Sequence, residues 1–468
     1  MILETVFTEG LAHLSYLIGD DSVGAAAVID PRRDVDIYLQ LARQNNVRIT
    51  HILETHIHAD FVSGSHELAA RTGAPIYVGA ADNYGFEHRP LQEGDRLELG
   101  SLLLQVLHTP GHTPEHICFV ASEGDHRRPW GVFTGDTLFA GEVGRPDLLG
   151  HGTEKKLAAD LFHSLKAKLM ALPADVIVYP SHGEGSPCGG NIAGRRTSTI
   201  GYERQKNPRL QIDAEEAFIC SLLGSLPPAP VYYPRLKKTN AAGPKVLGAL
   251  PEPPLLSAQE FHAAAQTEDA LIVDTRTILG FGGGHIAGAL SIELREEFPI
   301  WAGWMVAPEK NVLLLLRDKV QLDEVVRHLI RLGCERIGGY MAGMRSWQES
   351  GLPMVALPPL FVQDLKAALD HGEDLQLLDV RRQDEYAQGC LPNARHIYVP
   401  EIEQRAHELD KNRPVVTYCG SGYRSSIAAS QLQRLGFADV RNVPGSIRAW
   451  KAAGYPLAVP TASPIGSA

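Results

Sequence analysis

The chain has 468 residues, 44% of them hydrophobic, and its 44 Lys+Arg against 55 Asp+Glu give a net charge of -11. At roughly 150 residues per domain this length fits about three domains, each able to bury a core, and the composition excludes a disordered or fibrous chain. The acidic balance argues against a nucleic-acid partner, no run approaches the ~18 apolar residues of a membrane span, and Met1-Ile2-Leu3-Glu4 lacks the basic start of a secretory leader.

In chain order, residues 12–18 and 24–29 alternate like strands, and 49–54 reads as a strand that runs into Thr55-His56-Ile57-His58-Ala59-Asp60. If that segment stays extended, His56, His58 and Asp60 point to one face. Three more elements follow: Thr109-Pro110-Gly111-His112, Phe133-Thr134-Gly135-Asp136, and Tyr179-Pro180-Ser181-His182-Gly183. Each places a His or Asp just after a short apolar or Pro/Gly-punctuated segment, where a strand end presents a metal ligand.

This ordered set resembles the metallo-β-lactamase superfamily across a little less than half of the chain. Its two-metal hydrolases end the first motif in a further His, and here that position is Phe61, which cannot ligate. One metal is therefore expected. Within the superfamily the pattern is similar to the single-iron persulfide dioxygenases. The run Gly144-Arg145-Pro146-Asp147 and the later Asn207-Pro208-Arg209-Leu210 extend that similarity. The resemblance implies a mononuclear non-haem Fe(II) on His56, His112 and Asp136, two His and one carboxylate with open positions. His58, Asp60 and His182 then orient ligands or water, or one of them joins the metal, as in zinc relatives; zinc is the alternative occupant. Arg145 is a candidate cation for a substrate carboxylate or phosphate, or else an ion-pair partner of Asp147. Cys188, in the Gly-rich stretch 183–190, is a candidate sulfur acceptor or an inert loop residue.

Residues 243–254 are rich in Gly and Pro and read as a linker. Beyond them the chain repeats itself. Asp274 matches Asp379, Gly284 matches Gly389, Arg331 matches Arg434 and Trp347 matches Trp450, in order and at nearly one offset. In the second copy 375–380 and 415–418 read as buried strands and 425–435 as an amphipathic helix; such alternation implies a parallel sheet. Cys419-Gly420-Ser421-Gly422-Tyr423-Arg424 links strand to helix. Its glycines let successive N–H groups turn towards the sulfur, and the helix start adds positive character, so a thiolate is favoured.

The loop resembles the active-site loop of rhodaneses, which implies Cys419 as the persulfide-carrying nucleophile, Arg424 as its cationic partner, and Gly420, Ser421, Gly422 and Tyr423 as the cradle. Cysteine phosphatases use a loop one residue longer. In the first copy the strand 312–316 leads into Arg317-Asp318-Lys319. The position of Cys419 falls between Leu316 and Asp318, where no cysteine stands, so this copy is expected to be structural. Cys118, Cys220 and Cys334 read as core and Cys390 as packing. The six cysteines show no disulfide spacing, and a reducing cytoplasm is the expected compartment.

The whole chain is similar to bacterial fusions of a persulfide dioxygenase, a pseudo-rhodanese and a rhodanese. The expected fold is α/β multidomain: an αββα sandwich over 1–242, a linker at 243–256, rhodanese-like parallel-sheet domains at 257–356 and 357–460, and a tail at 461–468. The resemblance implies a thiol persulfide, dioxygen and sulfite or thiosulfate as small-molecule partners, and a homo-oligomer. The alternatives are a zinc-dependent thioester hydrolase of the glyoxalase II type fused to a sulfurtransferase, and a non-catalytic sulfur-sensing scaffold.

Overall fold

Side-chain alternation along the strands builds the first half of the molecule. The computed structural model describes every residue except 82, 125–127, 151 and 461–468, so the expected tail lies outside the described residues. The chain divides into two units, Met1–Leu250 with Arg327–Gly333, and Pro251–Val326 with Cys334–Ala468.

The first unit holds two six-stranded sheets. One contains β1 (Ile2–Thr8), β2 (His13–Asp20), β3 (Ala25–Ile29), β4 (Arg48–Leu53), β5 (Ile76–Gly79) and β6 (Arg89–Leu91), in that spatial order. The other contains β7 (Arg96–Leu99), β8 (Leu102–His108), β9 (Ile117–Glu123), β10 (Pro129–Gly135), β11 (Ile177–Pro180) and β12 (Ser198–Thr199), again in order. Leu14, Tyr16 and Ile18 of β2 meet Leu102, Leu104, Val106 and Phe119 of the second sheet in a shared core. The alternate residues face outward. Leu17 and Val28 pack under α1 (Asp36–Gln44) and α2 (Ser65–Thr72), through Tyr38, Ala42 and Leu68. Val120 and Val132 pack under α3 (Glu154–His163) and α5 (Glu215–Leu223), with α4 (Ile200–Lys206) between those two in the chain. This is the expected αββα sandwich, and burial of each Leu, Val or Phe contributes about 1.5–3 kcal/mol. The last helix, α6 (Tyr233–Ala242), opens with Pro234 in its first turn, where the missing N–H costs nothing. Cys220 departs from expectation. It is exposed, because Phe218, Ile219 and Leu222 take the buried face of α5. The Gly/Pro-rich segment is also not a free tether, since the N–H groups of Leu247 and Gly248 donate to the buried Glu67 at 2.7 and 3.2 Å.

The second unit holds two four-stranded parallel sheets. The first comprises β13 (Ala270–Asp274), β14 (Leu290–Ser291), β15 (Asn311–Leu316) and β16 (Ile337–Ala342). The second comprises β17 (Gln376–Asp379), β18 (Arg395–His396), β19 (Val415–Tyr418) and β20 (Val440–Asn442), with α7 (Tyr423–Arg434) and α8 (Ser446–Ala452). The orders are β14-β13-β15-β16 and β18-β17-β19-β20, one topology used twice. The repeated residues do the same work in each copy. Arg276 pairs with Asp274 and donates to the Gly284 carbonyl at 2.9 Å; Arg381 pairs with Asp379 and donates to the Gly389 carbonyl at 2.7 Å. Trp347 Nε1 donates to Pro353 O at 3.0 Å, and Trp450 Nε1 to Pro456 O at 2.9 Å. Register fixes what the sequence left open. Asp274 pairs with Leu315 and Asp379 with Tyr418, so Leu316 stands where Cys419 stands in the other copy.

Candidate metal centre and cysteine loop

The metal-type residues gather just beyond the ends of the strands. His56 follows β4, His112 follows β8, Asp136 follows β10 and His182 follows β11. Two glycines permit this convergence. Gly111 (φ +149°) lies so close to the Leu161 backbone that a Cβ would sit 2.4 Å from it, and a Cβ on Gly135 (φ +49°) would meet His116 Nε2 at 2.5 Å.

His56, His112 and Asp136 are essentially fully buried. Their ligand atoms lie within 4.8 Å of one another, with His56 Nε2 at 3.8 Å and His112 Nε2 at 3.4 Å from Asp136 Oδ2. The outward nitrogens are held: His112 Nδ1 donates to the Arg145 carbonyl at 2.8 Å, and His56 Nδ1 lies 2.9 Å from Thr55 Oγ1. The inward atoms, both Nε2 and Asp136 Oδ2, are buried and make no hydrogen bond. Leaving three such atoms unmatched costs roughly 1–3 kcal/mol each, and a cation between them removes that cost. Burial pushes both imidazoles below their usual pKa, which keeps them neutral, the ligating form. Burial opposes ionisation of Asp136, but His182 and its hydrogen bond hold that carboxyl well below the usual range. The residues therefore fit a metal.

The remaining motif residues do not share that face. The chain leaves the strand at Leu53, so the expected extended run of His56, His58 and Asp60 is broken and the three side chains enter three different clusters. His58 Nε2 lies 3.2 Å from both Asp30 Oδ1 and Glu54 Oε2. Burial lowers its pKa, but those two carboxylates raise it well above the usual value. His182 bridges Asp136 Oδ1 at 2.7 Å and Asp60 Oδ2 at 2.8 Å. Burial works against its charge too, yet the two carboxylates lift its pKa to about 10. Phe61 is fully buried, with its ring 4.2 Å from that of His13 and 4.6 Å from that of His58.

Arg145, read from the sequence as a substrate cation or an ion-pair partner of Asp147, makes that ion pair. It is fully buried, pairs with both oxygens of Asp147 at 2.7 and 2.8 Å, and donates to the Pro187 and Pro227 carbonyls at 3.0 and 2.8 Å. It braces loops. Cys188 lies beside Asp60 and His182, 3.8 Å from the Tyr233 hydroxyl, and burial pushes its thiol pKa well up.

Sequence reasoning missed several neighbours. His116 accepts from the Asp136 N–H at 3.0 Å and stacks on His56, and burial takes its pKa down to about 3. Its position four residues after His112 was the available signal. Asp30 accepts from Thr55 N, Thr55 Oγ1 and Ser181 Oγ at 2.7, 2.9 and 2.7 Å, tying two strand ends together. Asn240 donates to the His58 and Phe61 carbonyls at 2.8 and 2.7 Å. Asn240, Tyr233 and Lys237 sit on α6, far along the chain from every motif, with no sequence signal.

At the second site Cys419 ends β19. Ile447, Arg448 and Gly445 donate their N–H groups to the carbonyls of Cys419, Gly420 and Ser421 at 3.2, 3.1 and 2.9 Å. With those carbonyls bonded outward, the Gly422 N–H reaches the sulfur at 3.2 Å; its φ of +104° is the left-handed turn that suits glycine. Tyr423 starts α7 and sends its hydroxyl to the Glu293 carbonyl at 3.1 Å. Arg424 makes a two-pronged pair with Glu385 at 2.6 and 2.7 Å. Burial alone raises the Cys419 pKa, but the Arg424 charge and hydrogen bonds from Ser425 and Ser421 outweigh it and bring it below the usual thiol value. The first copy supports α7: Ser291 Oγ lies 2.7 Å from Ser426 Oγ, and Arg434 donates to the Gly288 carbonyl at 2.9 Å.

A metal-type His/Asp cluster on an αββα sandwich, joined to two rhodanese-type sheets of which one carries a glycine-lined cysteine loop, defines the class. Residues 8–182 match the metallo-beta-lactamase superfamily, and residues 257–350 and 361–453 each match the rhodanese-like domain. The chain is 30% identical over 231 residues to persulfide dioxygenase ETHE1, mitochondrial, of Homo sapiens, covering 48% of this chain and 82% of that protein. It is 36% identical over 204 residues to a hydroxyacylglutathione hydrolase of Rhodospirillum rubrum, covering 43% and 73%. A crystal structure of a metallo-beta-lactamase from Staphylococcus aureus matches with a TM-score of 0.67 and 31% identity, covering 73% of this chain and 99% of that one. The chain belongs to the metallo-beta-lactamase superfamily, with persulfide dioxygenases among its homologues, and carries two rhodanese-like domains after that fold. No helix among the described residues is long and apolar enough to cross a membrane.

Proposed function

We propose that this chain oxidises the sulfane sulfur of a low-molecular-weight thiol persulfide to sulfite at a mononuclear non-haem Fe(II) held by His56, His112 and Asp136. It also carries sulfane sulfur on Cys419, yielding thiosulfate. The observation that carries the reading is the trio of buried, inward-facing atoms without hydrogen bonds, two imidazole nitrogens and one carboxylate oxygen. Bound Fe(II) would supply the place where the terminal sulfur and dioxygen react. The chain's residues do the rest. The Arg145 carbonyl and Thr55 turn both Nε2 atoms inward. His182 occupies Asp136 Oδ1 and leaves Oδ2 as the ligand atom. The direct Asp60–His182 hydrogen bond, and a phenylalanine at position 61 that cannot ligate, support a single ion.

The net oxidation takes a persulfide anion, dioxygen and water to the free thiol, sulfite and a proton. In sulfur transfer, the Cys419 thiolate attacks the outer sulfur of a persulfide and the thiolate of the carrier leaves. A sulfite lone pair then attacks that outer sulfur, the S–S bond breaks, and thiosulfate departs as Cys419 regains its electron pair. The Gly422 N–H and the Arg424 charge favour the anion at both stages. The free cysteines suit a reducing compartment, and the reading places the protein in the cytoplasm.

The test is oxygen consumption by anaerobically iron-loaded protein given a thiol persulfide. Uptake proportional to iron, with sulfite or thiosulfate formed, is the expected result. The identity to a hydroxyacylglutathione hydrolase favours a second reading, zinc-dependent thioester hydrolysis. Thioester turnover by the zinc form with no oxygen uptake by the iron form would select it.

A further inference from the structure

Tyr233, Lys237 and Asn240 of α6 are spaced four and three residues apart, which stacks them along one side of the helix. Both outer members touch segments that flank the metal site. The Tyr233 hydroxyl lies 3.8 Å from Cys188 Sγ, and Asn240 donates to the carbonyls of His58 and Phe61. Lys237 stands between them, so its side of the helix faces the same site. Its ammonium nitrogen is buried and makes no hydrogen bond. Burial pushes its pKa down, and the Glu115 carboxylate works against that fall. Glu115 Oε1 accepts from the Ile57 N–H at 3.0 Å, while its Oε2 also makes no hydrogen bond.

A buried ammonium without a hydrogen-bond partner destabilises the fold. Such a group is retained where a ligand completes it. The oxidation proposed above supplies one, because a persulfide monoanion becomes sulfite, a dianion, so negative charge at the site grows during the reaction. Resting on that reading, we propose that Lys237 is the anion-holding residue of the metal site, its ammonium receiving the oxygens of sulfite as they form. A lysine ammonium is a compact point charge with three rotatable donors, which can follow the oxygens of a small pyramidal anion. The same position attracts the anionic outer sulfur of the incoming persulfide.

The test reads binding rather than turnover. Sulfite is titrated calorimetrically, without oxygen, into the full-length iron-loaded wild type, Lys237→Met and Lys237→Arg. Lys237→Met is expected to weaken sulfite binding about tenfold or more, the scale of one charge-assisted hydrogen bond, and Lys237→Arg to recover most of it. The metal-free Lys237→Met protein is expected to melt no lower than the metal-free wild type, since a stranded charge has been removed. Unchanged sulfite affinity in Lys237→Met overturns the proposal. So does a lowered melting temperature with that unchanged affinity, the mark of a structural pair with Glu115. Oxygen uptake by the wild type separates the two levels: uptake with sulfite binding indifferent to Lys237 removes this inference alone, and no uptake removes the reading beneath it.

Discussion

The metal centre and the Cys419 loop meet burial in opposite ways. At the metal centre three inward atoms of His56, His112 and Asp136 have no hydrogen-bond partner, although each residue is otherwise held in place. In the loop the carbonyls of Cys419, Gly420 and Ser421 are all bonded, and the sulfur receives an N–H. The contrast teaches how to read a buried polar group. One left without a partner inside a rigid frame points to something from outside, whereas a fully satisfied loop needs only its reactant. The first rhodanese copy adds a third case. It keeps the Asp–Arg–Gly clamp and the Trp–Pro contact but has Leu316 in place of the thiol. Frame and chemistry are separable.

The sharpest way to break the contrast is to damage one centre and watch the other. His112→Ala removes one of the unmatched nitrogens. Bound iron, measured by elemental analysis, and persulfide-dependent oxygen uptake are expected to fall by more than about 100-fold, since losing even an outer partner of a metal ligand costs 10–100-fold. Sulfur transfer from thiosulfate to a thiol should persist. Cys419→Ser should give the mirror image, with transfer lost and uptake largely kept. Loss of both activities in either variant would sink the two-centre description.

A smaller effect separates the loop's charge from its hydrogen bonds. The reactive form is the thiolate, so transfer rises with pH through the Cys419 pKa, which lies below the usual thiol value. Without the Arg424 charge, burial dominates and the pKa moves up. In Arg424→Gln the rising limb of the pH–rate profile should shift about 1–3 units to the alkaline side, the span associated with a nearby opposite charge. An unshifted limb would assign the low pKa to Gly422, Ser425 and the loop N–H groups alone.

Much of this was legible in the sequence, for identifiable reasons. Strand alternation and the ordered His/Asp motifs fall at strand ends, so local pattern and tertiary position coincide, and one offset revealed the duplicated sheet. The sequence does not show that the chain turns away after Leu53 and sends His56, His58 and Asp60 into separate clusters, because a preceding strand does not dictate that the residues after it stay extended. Nor does it show α6, whose Tyr233 and Asn240 meet Cys188, His58 and Phe61 only through tertiary packing. Arg145 stood in a suggestive motif, but its buried partners decide its role.

The smallest expected effect compares the two copies directly. Trp347 and Trp450 are both buried and both donate to a proline carbonyl six residues on, at 3.0 and 2.9 Å. Replacing either by Phe removes one hydrogen bond and some packing, so each variant should lose roughly 1–3 kcal/mol in a denaturant titration. Their catalytic consequences should differ. Trp450 lies on α8, whose early N–H groups from Ile447 and Arg448 hold the carbonyls of Cys419 and Gly420 outward. Loosening that helix lets the loop relax away from the sulfur, so Trp450→Phe should lower the transfer rate of folded protein several-fold. Trp347 holds the corresponding helix, Arg345–Glu349, in a copy whose strand ends in Leu316. Trp347→Phe should match the loss of stability and leave transfer unchanged, and an equal fall in rate for both would mean that the first copy shapes the Cys419 loop as well as bracing α7.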